Sequence, residues 1–379
     1  LNFLKNCFNA MTPKQRLNRI LERKPTDRIA WTTLVDDVSR SVMDEPYRTM
    51  DVLDFYRAIG CDIALFGNYG LPEELVVQSP CKLILPCVET PYVNLADGSQ
   101  ETRLESDWGL LTRRIRNGHS IKYPVETILD ARLLKKIWLN ARYEEATGIN
   151  ESYSRLEQAL GNDGIYVQTL GPSVIQHLIE YEMGMVNFYG LLNEYPGEME
   201  ELFDVMHERR KQEYEIVARL TPASAVMSVE NTSSNLISPS LYRKYSVPQL
   251  KNLADIAHRH GKLLILHMCG RLKALLDGIS GTNFDALNAV TPPPFGDVEF
   301  EEILDRFGED CILWGAIFNG EVFQSPAAGR NQLWKELDRI FTPRLRRANV
   351  LLWLPADGLP TPVERFLWVK EWMEKNGAK

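Results

Sequence analysis

The stretch LADIAHRHGKLLILHMCGRLKALL, residues 253–276, runs from the end of an amphipathic helix through Gly261 into a β-rich run, and after Cys269 and Gly270 back into a helical pattern. A helix stopped by glycine, a short apolar strand and a new helix is the signature of a parallel βα unit. The same alternation extends on both sides from about residue 160. Upstream, GIYVQTLGP (164–172) reads as a strand closed by a Gly-Pro turn, residues 193–220 as a long helix, ASAVMSVEN (223–231) as a strand, and residues 238–261 as a helix after a Ser-Pro start. Downstream follow FDALNAV, the helix FEEILDRFG, CILWGAI, a helix around NQLWKELDRIF, and NVLLWLP. With DRIAWTTLVDD and CDIALFGNYG as two opening strands, count and order predict an α/β fold, a (β/α)8 TIM barrel.

The segment CKLILPCVETPYVNLADGSQETRLESDWGLLTRRI interrupts that rhythm, and the turn at Asp97 and Gly98 between extended runs predicts a β-hairpin insertion. With no fixed-period repeat and no Pro-, Gly- or Ser-rich linker, residues 1–379 are expected to form a single domain with an elaborated N-terminal part.

Composition narrows the partners. Hydrophobic residues make up 44% and charged residues 25%, enough for a large core without disulfides. The 43 basic and 51 acidic side chains give a formal charge of −8, which argues against nucleic acid and anionic membrane as partners. The start carries no secretory signal pattern, and the six scattered cysteines form no CxxC pair, so a cytoplasmic protein with reduced thiols is expected.

In a parallel barrel, functional side chains sit at the C-terminal strand ends. Those positions carry Asp36, Asp37, Asn68, Tyr69, Thr169, Glu230, Asn231, His267, Cys269, Asn288, Asn319 and Asp357. Residues i and i+2 of a strand face the same way, so the donor atoms of His267 and Cys269 can meet one ion. Zinc accepts imidazole and thiolate, and a third protein ligand plus an open position makes a catalytic site. Downstream no further Cys or His stands at a strand end, whereas Asp357 does. Packed core is the bland alternative for His267 and Cys269, and a polar barrel mouth or a turn is the alternative for Glu230 and Asp357. Trp31, Tyr69, Asn231 and Asn319 are candidates for a pocket that takes a flat ring, with ordinary barrel lining as the alternative.

Residues 229–270, followed by GTNFDALNAV and ending in ADGLPTPVERFLWVKEWM, together with PTDRIAW near the start, resemble the uroporphyrinogen decarboxylase superfamily over nearly the whole chain. The features are an acidic strand end, an I-S-P helix start, the strand end H-x-C-G and a closing T-P-x-E helix start. The decarboxylase branch is metal-free and meets its polyanionic substrate through an N-terminal arginine signature. Here IAWTTLVDDVSR brings Asp36 and Asp37 to that region, a pair that repels a polyanion.

The zinc-dependent branch of cobamide methyltransferases is similar through H-M-C-G, which carries its metal-binding role over to His267 and Cys269. Where that branch commonly has a second cysteine as third ligand, this chain has Asp357. One thiolate fewer leaves a more electrophilic zinc, better suited to an oxygen leaving group than to presenting a thiolate. The resemblance therefore implies an O-demethylase methyltransferase: zinc on His267, Cys269 and Asp357, Glu230 and Asp357 as catalytic carboxylates, a small-molecule methyl ether as donor, and Co(I) of a separate corrinoid protein as acceptor. The alternatives are a methylcobamide:thiol methyltransferase, a metal-free decarboxylase, and a tetrapyrrole-binding protein without catalysis.

Overall fold

The computed structural model describes residues 10–316, 323 and 328–379. Eight strands form one parallel sheet: β1 Ala30–Leu34, β2 Ile63–Phe66, β3 Gly164–Leu170, β4 Ala225–Val229, β5 Leu263–His267, β6 Ala286–Val290, β7 Ile312–Ala316 and β8 Val350–Pro355. Their spatial order is β1-β8-β7-β6-β5-β4-β3-β2, so chain neighbours are sheet neighbours. At the seam, Asp62 N–H bonds the Trp31 carbonyl at 2.8 Å and Ala64 N–H bonds Thr32 Oγ1 at 3.3 Å, which nearly closes a (β/α)8 barrel. The strands are buried on both faces, as barrel strands wrapped by helices must be. That is why AWTTL and VLLWLP are buried throughout without alternating polarity.

Two cores result. One fills the barrel, with Ala30, Ala64, Val167, Met227, Ile265 and Trp353 among its members. The other lies between strands and helices and holds Trp31, Phe55, Tyr56 and Phe366. The helix Pro13–Leu21 plugs the N-terminal end. Thr12 caps it reciprocally with Gln15, Pro13 opens it, and Leu17, Ile20 and Leu21 join the barrel-filling cluster.

The insertion is larger than a hairpin. Val88–Glu89, Val93–Asn94, Gln100–Ser106, Gly109–Arg116 and His119–Lys122 make a five-stranded antiparallel sheet, and Cys81–Ile84 pairs separately with Arg142–Glu145. The Asp97-Gly98 turn does join two of these strands. The expected long helix over 193–220 begins at Pro196, because the chain breaks after the helix Gly184–Glu194. Residues 271–281 form short 3₁₀ and α pieces, Lys273–Leu275, Leu276–Ile279 and Ser280–Thr282. Two helical stretches carry a π turn, Leu178–Met183 and Tyr242–Ser246, a widening that is frequent at functional sites.

Candidate functional site at the barrel mouth

His267 ends β5 directly opposite Asn288 of β6, and the β6 ladder has a bulge between Asn288 and Val290. Bulges re-aim side chains, and here the amide of Asn288 meets the imidazole: Oδ1 lies 2.5 Å from His267 Nδ1. An amide oxygen only accepts, so Nδ1 carries the proton and Nε2 keeps its lone pair. Nε2 has no hydrogen-bond partner among the described residues. Burial lowers the imidazolium of His267 below its ordinary value, against the opposing pulls of Asn288 and Glu180. The neutral ring with a free Nε2 is the form that binds a metal.

Cys269 packs against the barrel-filling cluster two residues on. The chain turns sharply just after it: Gly270 has φ +93°, and a Cβ there would come within 3.1 Å of Ser233 Oγ. Burial raises the thiol, with the Glu180 carboxylate adding to the effect. Asn231, also in the left-handed region at φ 46°, stands 3.8 Å from Cys269 Sγ through Oδ1. Its Nδ2 donates to both oxygens of Glu180, at 3.3 and 3.4 Å.

Glu180 sits on the π turn Leu178–Met183 and acts electrostatically on both His267 and Cys269. The sequence reading passed it over. The stretch VIQHLIEYEMG has helical character, and nothing in its periodicity marks the extra residue of a π turn that re-aims a side chain.

Asp357 is placed differently. Burial raises its carboxyl, the neighbouring charge of Asp36 adds to the rise, and Tyr69 is the other group it acts on at the rim. Asp36 accepts from Gly358 N–H at 2.8 Å, from Tyr69 Oη–H at 3.2 Å and from Ser39 N–H at 2.7 Å, so it pins the turn that carries Asp357. These bonds hold Asp36 below the usual carboxylate range although burial opposes them, while Tyr69 is pushed up to about 12 by burial and by both carboxylates. Among the described residues, no three His, Cys, Asp or Glu side chains converge as a metal ion requires. The structure therefore brings His267, Cys269 and Asn231 together with Glu180, and leaves Asp357 outside that group.

Glu230 is fully buried and faces the helical layer. Its carboxylate accepts from Ser173 N–H and Ser173 Oγ–H, each at 2.7 Å, and from Ser228 Oγ–H at 2.5 Å. Burial raises its pKa against those bonds. This carboxylate holds the turn after β3 on the end of β4. Trp31 is 1% exposed and packs in the core between barrel and helices, away from the mouth. Tyr69 is exposed at the rim, and Asn319 lies outside the described residues. The aromatic surface beside the imidazole comes instead from Phe66 and Trp353, whose rings lie 6.4 and 5.9 Å from that of His267.

The donor chemistry fits zinc at two positions, a neutral imidazole nitrogen and a thiol at one strand end, with the Glu180 carboxylate, held by Asn231, in electrostatic reach of both. Among the described residues no third His, Cys, Asp or Glu is in ligating position. Arg40, the arginine of IAWTTLVDDVSR, is committed elsewhere, donating to the carbonyls of Tyr47 and Met50.

A model of the uroporphyrinogen decarboxylase (URO-D) family matches residues 122–338, more than half of the chain. No curated protein sequence matches it significantly. Among solved structures, an IOLI protein with a binding zinc atom is 14% identical, with 58% of this chain and 77% of that one covered and a TM-score of 0.30. A D-psicose 3-epimerase with D-fructose is 12% identical, with 59% and 70% covered and a TM-score of 0.29. At such superposition neither likeness bears on the site. No described helix is long and apolar enough to cross a membrane.

Proposed function

Starting from the fact that the chain belongs to the uroporphyrinogen decarboxylase family, we propose that it is a zinc-dependent methyltransferase that demethylates a methyl ether, a methoxylated aromatic compound, and passes the methyl group to Co(I) of a separate corrinoid protein. The observation that carries this reading is the His267–Asn288 contact, which leaves Nε2 as the ring's open nitrogen beside the strand end that presents Cys269. His267 and Cys269 would hold the ion, with Glu180, whose charge acts on both, as the carboxylate for the third position and Asp357 as the alternative. When bound with a single thiolate, zinc supplies Lewis acidity toward the leaving oxygen.

The residues around it have separable tasks. Asn288 fixes the tautomer and direction of His267, and Asn231 holds the Glu180 carboxylate against the site. Phe66 and Trp353 offer an apolar wall for an aromatic ring. Burial keeps Asp357 nearer to its protonated form than an ordinary aspartate, so it is suited to return a proton to the departing phenolate. In the overall step the CH₃–O bond breaks, the CH₃–Co bond forms with the cobalt's electron pair, and the phenolate takes up one proton. Asp36, Glu180 and Asp357 make the mouth acidic, and Arg40 is occupied, a setting that disfavours a polyanionic porphyrinogen.

The test is incubation of zinc-supplied protein with cob(I)alamin and 2-methoxyphenol, following the corrinoid absorption. Formation of methylcobalamin and catechol, lost in Cys269→Ala, is the expected result. Methyl transfer from methylcobalamin to a thiol with no ether cleavage would favour the thiol-directed reading, and carbon dioxide release from a carboxylated substrate by metal-free protein would replace both.

A further inference from the structure

A cavity of about 270 Å³ lies under the insertion sheet, between the strands Gln100–Ser106 and Gly109–Arg116, the helix Ile128–Leu139 and the π turn Leu178–Met183. Neither His267 nor Cys269 lines it. Its walls are mostly apolar, with Leu104, Leu111, Leu134, Ile137 and Trp138 prominent. Its volume is just below the range of drug-sized pockets, which suits a small molecule.

One arginine in this wall differs from its neighbours. On the same strand Arg114 pairs with Glu101 at 2.7 Å and Arg116 with Asp97 at 2.9 Å, while Arg103 opposite pairs with Glu101 at 2.9 Å. Arg113 lines the cavity and has no carboxylate partner among the described residues. Its Nη2 donates to the Tyr181 carbonyl at 2.7 Å, and its buried Nε–H has no acceptor among the described residues. A buried donor left without a partner costs free energy, more so on a charged group. The cavity's acidic members do not answer it: Glu182 is engaged by His177 Nε2 at 3.2 Å, and Glu89 stands on the exposed edge strand Val88–Glu89. An occupant with an anionic end supplies the missing acceptor, and an apolar body fills the rest.

We infer that this cavity is a binding site for a small organic acid, a monocarboxylate with a compact apolar or aromatic body, whose carboxylate is taken by Arg113. The site is independent of the proposed methyl transfer. Tyr181 and Glu182 line the cavity while Glu180 of the same turn reaches Asn231, so the occupant touches the segment that presents the mouth's carboxylate.

The probes are benzoate, cyclohexanecarboxylate and the neutral benzamide, titrated calorimetrically into the full chain and followed by hydrogen exchange. Expected are saturable binding of both acids and slowed exchange over residues 100–116 and 178–183. Arg113→Gln should weaken benzoate by about tenfold to a hundredfold, the worth of a charged hydrogen bond, and change benzamide by no more than about threefold. Leu134→Trp, which fills the cavity, should abolish all three, and Cys269→Ala should leave them unchanged. Absence of binding by both acids at millimolar concentration, protection confined to the barrel mouth, or benzoate affinity lost in Cys269→Ala but kept in Arg113→Gln would each overturn the assignment.

Discussion

The two ends of the barrel solve the same problem, buried polarity, in opposite ways. At the N-terminal end Asp62 is completely buried, and burial raises its pKa, yet Arg16, Arg28 and the Trp31 N–H all reach it. Arg16 in turn meets Asp27 through Nε at 2.7 Å and the Met11 carbonyl through Nη2 at 2.8 Å. At the mouth, among the described residues, the buried Asn288 Nδ2 has no partner, the Trp314 Nε1 inside the barrel has none, and His267 keeps an open ring nitrogen. A saturated network specifies structure, whereas open donors and acceptors are what a bound group would complete.

That contrast can be broken by substitution. Asp62→Ala leaves two arginines facing a buried gap and should cost about 3–5 kcal/mol in urea unfolding, with metal content unchanged. His267→Ala at the other end should cost less, about 1–3 kcal/mol in metal-free protein, since it strips the buried Asn288 Oδ1 of its donor but leaves no unpaired charge. Equal losses would show that the mouth is packed core rather than a site.

Part of the acid sensitivity should come from outside both ends. His207, on the helix Pro196–Leu220, is buried with Nδ1 unpartnered among the described residues, and burial lowers its pKa to about 4. A depressed histidine favours the fold fully above its ordinary value of 6.5, and that contribution is lost as pH falls from 6.5 to about 4. The change is about 3 kcal/mol by linkage. A His207→Phe variant should flatten stability across this window, and an unchanged slope would assign the sensitivity to other groups.

Glu230→Gln should cost about 1–3 kcal/mol in the same unfolding assay, because the amide turns a donor toward Ser173 or Ser228. If Glu230 serves the fold alone, methyl transfer per folded molecule stays near the parent value. Asn288→Ala sharpens the comparison most finely. Zinc affinity should fall about tenfold to a hundredfold while stability falls by about 1–3 kcal/mol, the cost of leaving the partly buried His267 Nδ1–H without an acceptor.

The barrel was legible because short apolar runs alternate with helical patterns, and His267 and Cys269 stood out because they fall at and just past the end of one such run. The insertion was only half legible. The Asp97-Gly98 turn announced a hairpin, but cross-strand pairing among five polar strands leaves little pattern. Trp31 was misleading because barrel strands are buried on both faces, so position in the run does not tell an inward ring from an outward one. Glu180 was invisible for the opposite reason: its placement depends on a π turn. Asp357 and Glu230 stand at strand ends as read, but which neighbours they meet is decided by loop geometry, with Asp36 claiming the turn of one and Ser173 the oxygens of the other.

The most direct measurement is the metal content of the purified protein by elemental analysis, prepared without chelator, beside Cys269→Ala, Glu180→Ala and Asp357→Ala. The expected result is about one zinc per chain in the parent, lost in Cys269→Ala, reduced in Glu180→Ala and retained in Asp357→Ala. A folded, metal-free parent, or full zinc in Cys269→Ala, would contradict a metal site at the barrel mouth.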